Sequence, residues 1–281
     1  MGLLTLVFKN KGTRQQAINY RWITVLPVIG KIMETVIKCR TNNCILETQN
    51  KRKRGFAAGS SPMNSALPIK ESYRESKNNN AILHLVLLDA KAAFDTVIHS
   101  HMFRRVFLAG IDDGHWGLIK DLHENARSVI KWEGNIFFQV NQGDRQGVIL
   151  SINLCKLYIH QLLNMYETTG IGYRIGNLSV NNAACADDIA LISEEQDQVQ
   201  ILIYMAYDYA YMKGFSGYEL QPTKSVVLSI SHKQRKQESN NLTFTINLNI
   251  MPSVESATHL GIIRTTSLKG NMTANVEENI N

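Results

Sequence analysis

The stretch Ala81-Ile82-Leu83-His84-Leu85-Val86-Leu87-Leu88-Asp89 constrains the fold more than any other part of the chain. Seven apolar residues broken by one histidine are far too few to span a bilayer. They predict a strand buried on both faces at the centre of a sheet. That strand ends on a carboxylate. A second stretch, Cys185-Ala186-Asp187-Asp188-Ile189-Ala190-Leu191-Ile192-Ser193, repeats the pattern with an acidic doublet ahead of the apolar run. An ionised carboxylate loses several kcal/mol or more on leaving water unless a partner compensates it. If the two strands are neighbours, Asp89, Asp187 and Asp188 converge at one sheet edge, where mutual repulsion raises at least one pKa unless a cation is present. Magnesium meets that need, since it takes carboxylate oxygens and bridges to substrate phosphates. Two such ions about 3.5 to 4 Å apart can clamp an in-line displacement at phosphorus. An Asp-Asp pair alone has a blander reading, because turns and helix caps use such pairs too.

The remaining pattern supplies helices around these strands. From Pro27 to about residue 47, Ile29, Ile32, Met33, Val36 and Ile37 recur at helical spacing and predict an amphipathic helix. A basic, Gly- and Ser-rich stretch (49–62) follows, then a helix that Asn78-Asn79-Asn80 breaks. Two helices separated at Gly110, a hairpin turning at Glu133-Gly134-Asn135, and a helix opened by the polar loop 142–151 come next. Short strands near Ile175 and Val180 precede the acidic doublet. A helix over about 196–213 and strands in "SVVLSI" and "LTFTINLNI" come after it. This order predicts an α+β fold, an antiparallel sheet with helices packed on one face.

Thirty Lys+Arg against 24 Asp+Glu leave a charge of +6, which leans toward an anionic partner such as nucleic acid. Cys39, Cys44, Cys155 and Cys185 form no CxxC pair and have no histidine at zinc-finger spacing, so reduced thiols in an intracellular protein are expected. No apolar run reaches membrane-spanning length, and no membrane or protein partner is indicated.

Five segments taken together resemble a known family. "LLDAKAAFDTV" (87–97), "GDRQGVILSINLCKLYI" (143–159), "CADDIAL" (185–191), "LQPTKSVVLSI" (220–230) and "THLGI" (258–262) resemble, in order, motifs A to E of reverse transcriptases, with the likeness strongest to non-LTR (LINE-type) retrotransposon polymerases. "NYRWITVLPVIGKIMETVI" and "RGFAAGSSPMNSAL" resemble the finger motifs that precede motif A, so the likeness spans roughly residues 5–265. The resemblance implies a right-hand polymerase: fingers over 1–80, palm over 81–265 with part of the fingers inserted between motifs A and B, and a frayed tail or the start of a thumb over 266–281, the thumb being largely absent. It also implies an RNA template, a DNA primer and deoxynucleoside triphosphates as partners, and two magnesium ions, with manganese as the alternative.

Carried over residue by residue, the resemblance makes Asp89 and Asp187 the metal ligands with Asp188 adjacent, all three catalytic. Phe94 becomes the steric gate against a ribose 2′-hydroxyl, although core packing is the commoner fate of a Phe beside a strand. Gln146 and Gly147 would let template and nucleotide approach a bare backbone, against the alternative of a simple turn. Lys224 would protonate or neutralise the departing pyrophosphate, against that of a solvated surface lysine. His259, Leu260 and Gly261 resemble the hairpin that grips the primer end. Within the run Lys51-Arg52-Lys53-Arg54, Arg54 is the expected phosphate contact. The run reads equally as a nuclear import signal or a wetted loop, so nucleus or cytoplasm stays open. Trp22, Trp116 and Trp132 are read as packing residues.

Several positions depart from the family pattern. Cys185 and Cys155 stand where aromatic residues are usual, Ile152 replaces a proline of motif B, and Trp22 and Leu6 replace small residues or proline. With a chain that stops just past motif E, they support an alternative: an inactive nucleic-acid-binding relic of such a polymerase.

Overall fold

A computed structural model of the chain describes residues 2–10, 12–48, 50, 61–91, 96–124, 126–131, 135–144, 147–185, 188–211, 219–231 and 242–267. In chain order the elements are β1 (Gly2–Phe8), β2 (Tyr20–Val25), α1 (Val28–Thr48), α2 (Pro62–Asn79), β3 (Leu83–Leu88), β4 (Ala90–Lys91), α3 (His99–Leu108), α4 (Asp113–Glu124), β5 (Arg127–Lys131) and β6 (Asn135–Gln139). They continue with α5 (Ser151–Thr168), β7 (Tyr173–Ile175), β8 (Leu178–Val180), β9 (Asn182–Cys185), β10 (Asp188–Ser193), α6 (Gln196–Tyr211), β11 (Glu219–Leu220) and β12 (Val226–Ile230). Two short hairpins close the described chain: β13 (Thr245–Ile246) with β14 (Asn249–Ile250), then β15 (Ser256–His259) with β16 (Ile262–Thr265).

Packing divides the chain into two units. The first comprises residues 1–49, 92–159 and 215–217; the second comprises 50–91, 160–214 and 218–281. Within the first, four strands lie in the order β2-β1-β5-β6, β1 running parallel to β5 and antiparallel to β2. The pair β1–β2 has no counterpart in the predicted element order. Its residues are only partly buried and its partner β5 is remote in sequence, so local pattern carries little of the signal.

Helix α1 forms as the spacing predicts, but the face that it buries differs. Glu34, Ile37, Thr41 and Ile45 are buried, whereas Ile29, Ile32, Met33 and Val36 are exposed. The reason lies in one polar side chain: Glu34 Oε2 accepts the backbone N–H of Ile149 at 2.9 Å and of Leu150 at 3.4 Å, just before α5 begins. Those N–H groups have no intrahelical acceptor, and a carboxylate there also meets the positive end of the helix dipole. In the same unit, the buried His123 and Asp144 approach within 3.5 Å, while His123 Nδ1 donates to Ile119 O at 2.8 Å.

The second unit holds the predicted central strand. Its sheet runs β12-β3-β10-β9, antiparallel throughout, and every residue of β3 is buried. Leu83, Leu85 and Leu87 point to one face and pack with Ile69 and Tyr73 of α2, with Ala190 and Ile192 of β10, and with Leu228 and Ile230 of β12. On the alternate positions His84 places Nδ1 2.9 Å from Ser229 Oγ and its ring 5.3 Å from that of Phe244. Burial pushes the His84 pKa down to about 4. Helix α6 packs on β10 and β3. Packing thus groups α2, residues 62–79, with the sheet of this unit.

"LTFTINLNI", predicted as one strand, folds back on itself as β13–β14. Asn247, with φ 55°, makes the reversal, and Asn tolerates the left-handed region better than most residues. The expected turn at 133–135 falls largely outside the described residues, but Lys131 pairs with Asn135 as the hairpin requires. No helix among the described residues is long and apolar enough to cross a membrane.

Candidate active site

The site is built on β3. Ile189 of β10 pairs with Leu88, and one further step of that antiparallel register brings Asp188 level with Asp89. Facing residues in such a ladder have Cα atoms about 5 Å apart, so the two carboxylates leave the sheet side by side. On the other flank, Val226 of β12 pairs with Leu87, and the chain entering β12 carries Lys224.

Past β12 the chain runs Pro252-Ser253-Val254 alongside Val227, which donates to Pro252 O and accepts from Val254 N, both at 2.9 Å. This addition hangs the β15–β16 hairpin on the sheet. His259 pairs with Ile262 across a two-residue turn in which Leu260 has φ 54° and Gly261 φ 73°. Positive φ at both central residues is the hairpin geometry whose twist matches the strands, and Leu is an unusual occupant of it.

Asp89, Asp188, Lys224, Thr258, His259 and Leu260 therefore line one cavity of about 230 Å³, floored by Leu87, Leu88, Ile189 and Val226. Asp188 and Lys224 are exposed and Asp89 half-buried. Burial and then the Arg264 guanidinium lower the His259 pKa to about 4, so the imidazole is neutral near pH 7. The cavity joins two carboxylates, a cation and a buried imidazole on elements that lie far apart in the chain. The oxygen donors suit a hard divalent cation. Among the described residues no three His, Cys, Asp or Glu side chains cluster closely enough to hold a metal. Asp187, the third acid of the expected set, lies outside the described residues, as do Arg54, Phe94 and Gln146.

Gly147 belongs to the first unit. Its φ of 91° and its close approach to β2, where an added Cβ would lie 2.7 Å from Ile23 Cγ2, require a residue without a side chain. Reading by motif passed over Ser225, fully buried beside Lys224, whose Oγ accepts the backbone N–H of Asp89 at 3.0 Å. It also passed over Glu34. Neither carries a local signal: a serine after a lysine and a glutamate in a helix are commonplace, and their partners are 136 and 115 residues away.

Two acids at the open edge of a central antiparallel strand pair, with a lysine turn and a tight hairpin both carried on the β12 flank, define a polymerase-type palm. The family model "Reverse transcriptase (RNA-dependent DNA polymerase)" matches residues 8–263, and the chain belongs to that family. Among curated relatives, the Pol polyprotein of the type-2 retrotransposable element R2DM of Drosophila melanogaster is 25% identical over 72% of the chain and 19% of its own length. That of the type-1 element R2 of Popillia japonica is 23% identical over 81% of the chain and 32% of its own length. These are non-LTR elements, and the chain spans a fifth to a third of their polyproteins. In fold it is similar to Candida tropicalis telomerase, solved without a ligand (TM-score 0.62, 13% identity, 94% of this chain and 53% of that one) and in complex with a fragment of telomeric RNA (TM-score 0.63, 12% identity, 94% and 43%).

Proposed function

We propose that this chain is the nucleotidyl-transfer core of a non-LTR retrotransposon polymerase, copying an RNA template into DNA by extending a primer 3′-hydroxyl. One observation supports this above the rest: residues from motifs A, C, D and E line a single cavity although they are widely separated in sequence. In this reading Asp89 and Asp187, with Asp188 beside them, hold two magnesium ions, for which manganese can substitute. Divalent ions bound there supply Lewis-acid activation of the 3′-hydroxyl and neutralise charge on the phosphates.

The remaining work falls to the protein. The 3′-hydroxyl gives up its proton to water as its oxygen forms a bond to the α-phosphorus of a deoxynucleoside triphosphate, and the bond from that phosphorus to the bridging oxygen breaks. Lys224 Nζ gives a proton to the departing pyrophosphate. Phe94 fills the space that a 2′-hydroxyl would need, and Gln146 and Gly147 bound the nucleotide. Arg54 contacts phosphate. The His259-Leu260-Gly261 turn holds the primer end, where a rigid hairpin and a neutral imidazole lend position without adding charge.

The alternative, a relic that binds duplex without extending it, draws on Cys185, which is buried and pairs with Asp188 where the family usually has an aromatic ring. Primer extension on an RNA template with magnesium, set beside Asp89→Asn and Asp187→Ala, decides between them. Extension lost in both variants supports the polymerase. Duplex binding without extension by the unsubstituted chain supports the relic.

A further inference from the structure

Asp89 stands between two stretches of strand pairing that differ in register. β12 pairs along β3 as far as Val226 and Leu87, and β11 resumes alongside β4 at Leu220 and Ala90, so the register slips by three residues between them. Pro222, Thr223 and Lys224 take up that slack as a loop opposite Asp89. The loop is a β-turn in which Lys224 N–H donates to Gln221 O at 3.1 Å, with Pro222 at the second position, where its fixed φ is favoured. Proline also suits a site where no ladder donor is wanted.

The Asp89 peptide groups bond to the residues at either end of this loop. Its N–H donates to Ser225 Oγ at 3.0 Å, and its C=O accepts from Gln221 N–H, also at 3.0 Å. Ser225 N–H in turn donates to Gln221 O at 2.9 Å, and the Ser225 side chain is completely buried. Four hydrogen bonds thus make one piece of the residue bearing the carboxylate and the turn bearing the lysine. The hydroxyl is the only side-chain member of that set.

We infer that Ser225 is a positioning residue for nucleotidyl transfer: its hydroxyl fixes where the Asp89 carboxylate stands relative to Lys224. This rests on the polymerase reading above. Small shifts in the placement of a reacting group are costly in rate, and the Ser225 hydroxyl opposes such a shift at Asp89.

The test compares Ser225→Ala with Ser225→Thr, which keeps the hydroxyl, in the full chain, with Lys224→Ala as single and double variants. Ser225→Ala is expected to lower kcat about tenfold, with KM for the primer-template changed by less than about twofold. Ser225→Thr restores the rate, and Lys224→Ala costs less in the Ser225→Ala background than alone. Two readouts need no turnover. The Asp89 amide exchanges hydrogen faster in Ser225→Ala, and manganese(II) binding followed by electron paramagnetic resonance weakens, both recovering in Ser225→Thr. An unchanged kcat, or costs of the two substitutions that simply multiply, overturns the inference. A parent chain that extends no primer refutes the polymerase reading instead. In that event unchanged amide exchange and manganese binding in Ser225→Ala overturn the inference, and faster exchange with weaker binding upholds the tie between Asp89 and its turn.

Discussion

The carboxylate of Glu34 accepts the backbone N–H of Ile149 at 2.9 Å, across 115 residues of chain. A buried acid on one helix thereby terminates another. Replacing Glu34 by Ala removes the acceptor from one buried and one half-buried donor and is expected to cost about 2 to 4 kcal/mol. Gln, which keeps an acceptor oxygen but not the charge, should cost about 1 kcal/mol. Trp22 and Trp116 both lie in the unit concerned, so tryptophan fluorescence during urea unfolding reads the loss directly.

Function and stability should separate at Asp188. Its side chain is exposed, so Asp188→Asn is expected to shift Tm by no more than about 2 °C. Primer extension should nevertheless fall by about a hundredfold or more, because a neutral amide beside Asp89 is a poor ligand for a divalent ion. Extension rate and melting temperature measured on the same preparation check both halves.

Acid should weaken the second unit before carboxylates titrate. His84 is held at about 4 in the folded chain against 6.5 when free, with burial as the cause. The unfolded chain therefore takes up the proton first, so this group costs nothing above its free pKa and destabilises progressively as pH falls from 6.5 toward 4. Between about pH 7 and about pH 5 the loss from this one residue is roughly 2 kcal/mol. His259, also lowered to about 4, adds a loss of the same sign. Chemical denaturation at the two pH values should show a smaller difference in His84→Asn than in the unsubstituted chain.

Leu260 holds a left-handed backbone that a branched side chain resists. Leu260→Gly is expected to stabilise the hairpin by up to about 1 kcal/mol, because the strain of a non-glycine residue at positive φ disappears. If the turn grips a primer end, the same change raises KM for primer-template. A thermal melt and a steady-state titration of primer test the two expectations separately.

Gly147→Ala should act in the opposite sense. A methyl group 2.7 Å from Ile23 Cγ2, at φ 91°, is expected to destabilise the first unit by about 2 kcal/mol or more. Fluorescence-detected unfolding would show it.

The parts of the fold that sequence revealed are those whose signal is local. β3 and its terminal Asp89 stood out because an apolar run buried on both faces needs no partner to be recognised, and α5 and α6 because helical spacing repeats within one segment. The buried side of α1 did not, since Glu34 turns inward with Ile37 and Ile45 while Ile29 and Ile32 stay exposed, and Glu34 does so for a helix end more than a hundred residues away. β1 and β2 were silent because edge and parallel pairing leave only weak alternation. At the site, the acids and Lys224 were legible as motifs. Ser225 was not, because its importance lies in a backbone group that it satisfies and not in chemistry it could do itself.

The central place of β3 has a cost during synthesis. Both strands that flank it, Asp188–Ser193 and Val226–Ile230, leave the ribosome long after it does. At common elongation rates the most water-averse segment of the chain then waits on the order of ten seconds for its neighbours. Nascent chains stalled in that interval should be the ones that chaperones capture and that aggregate when chaperones are scarce.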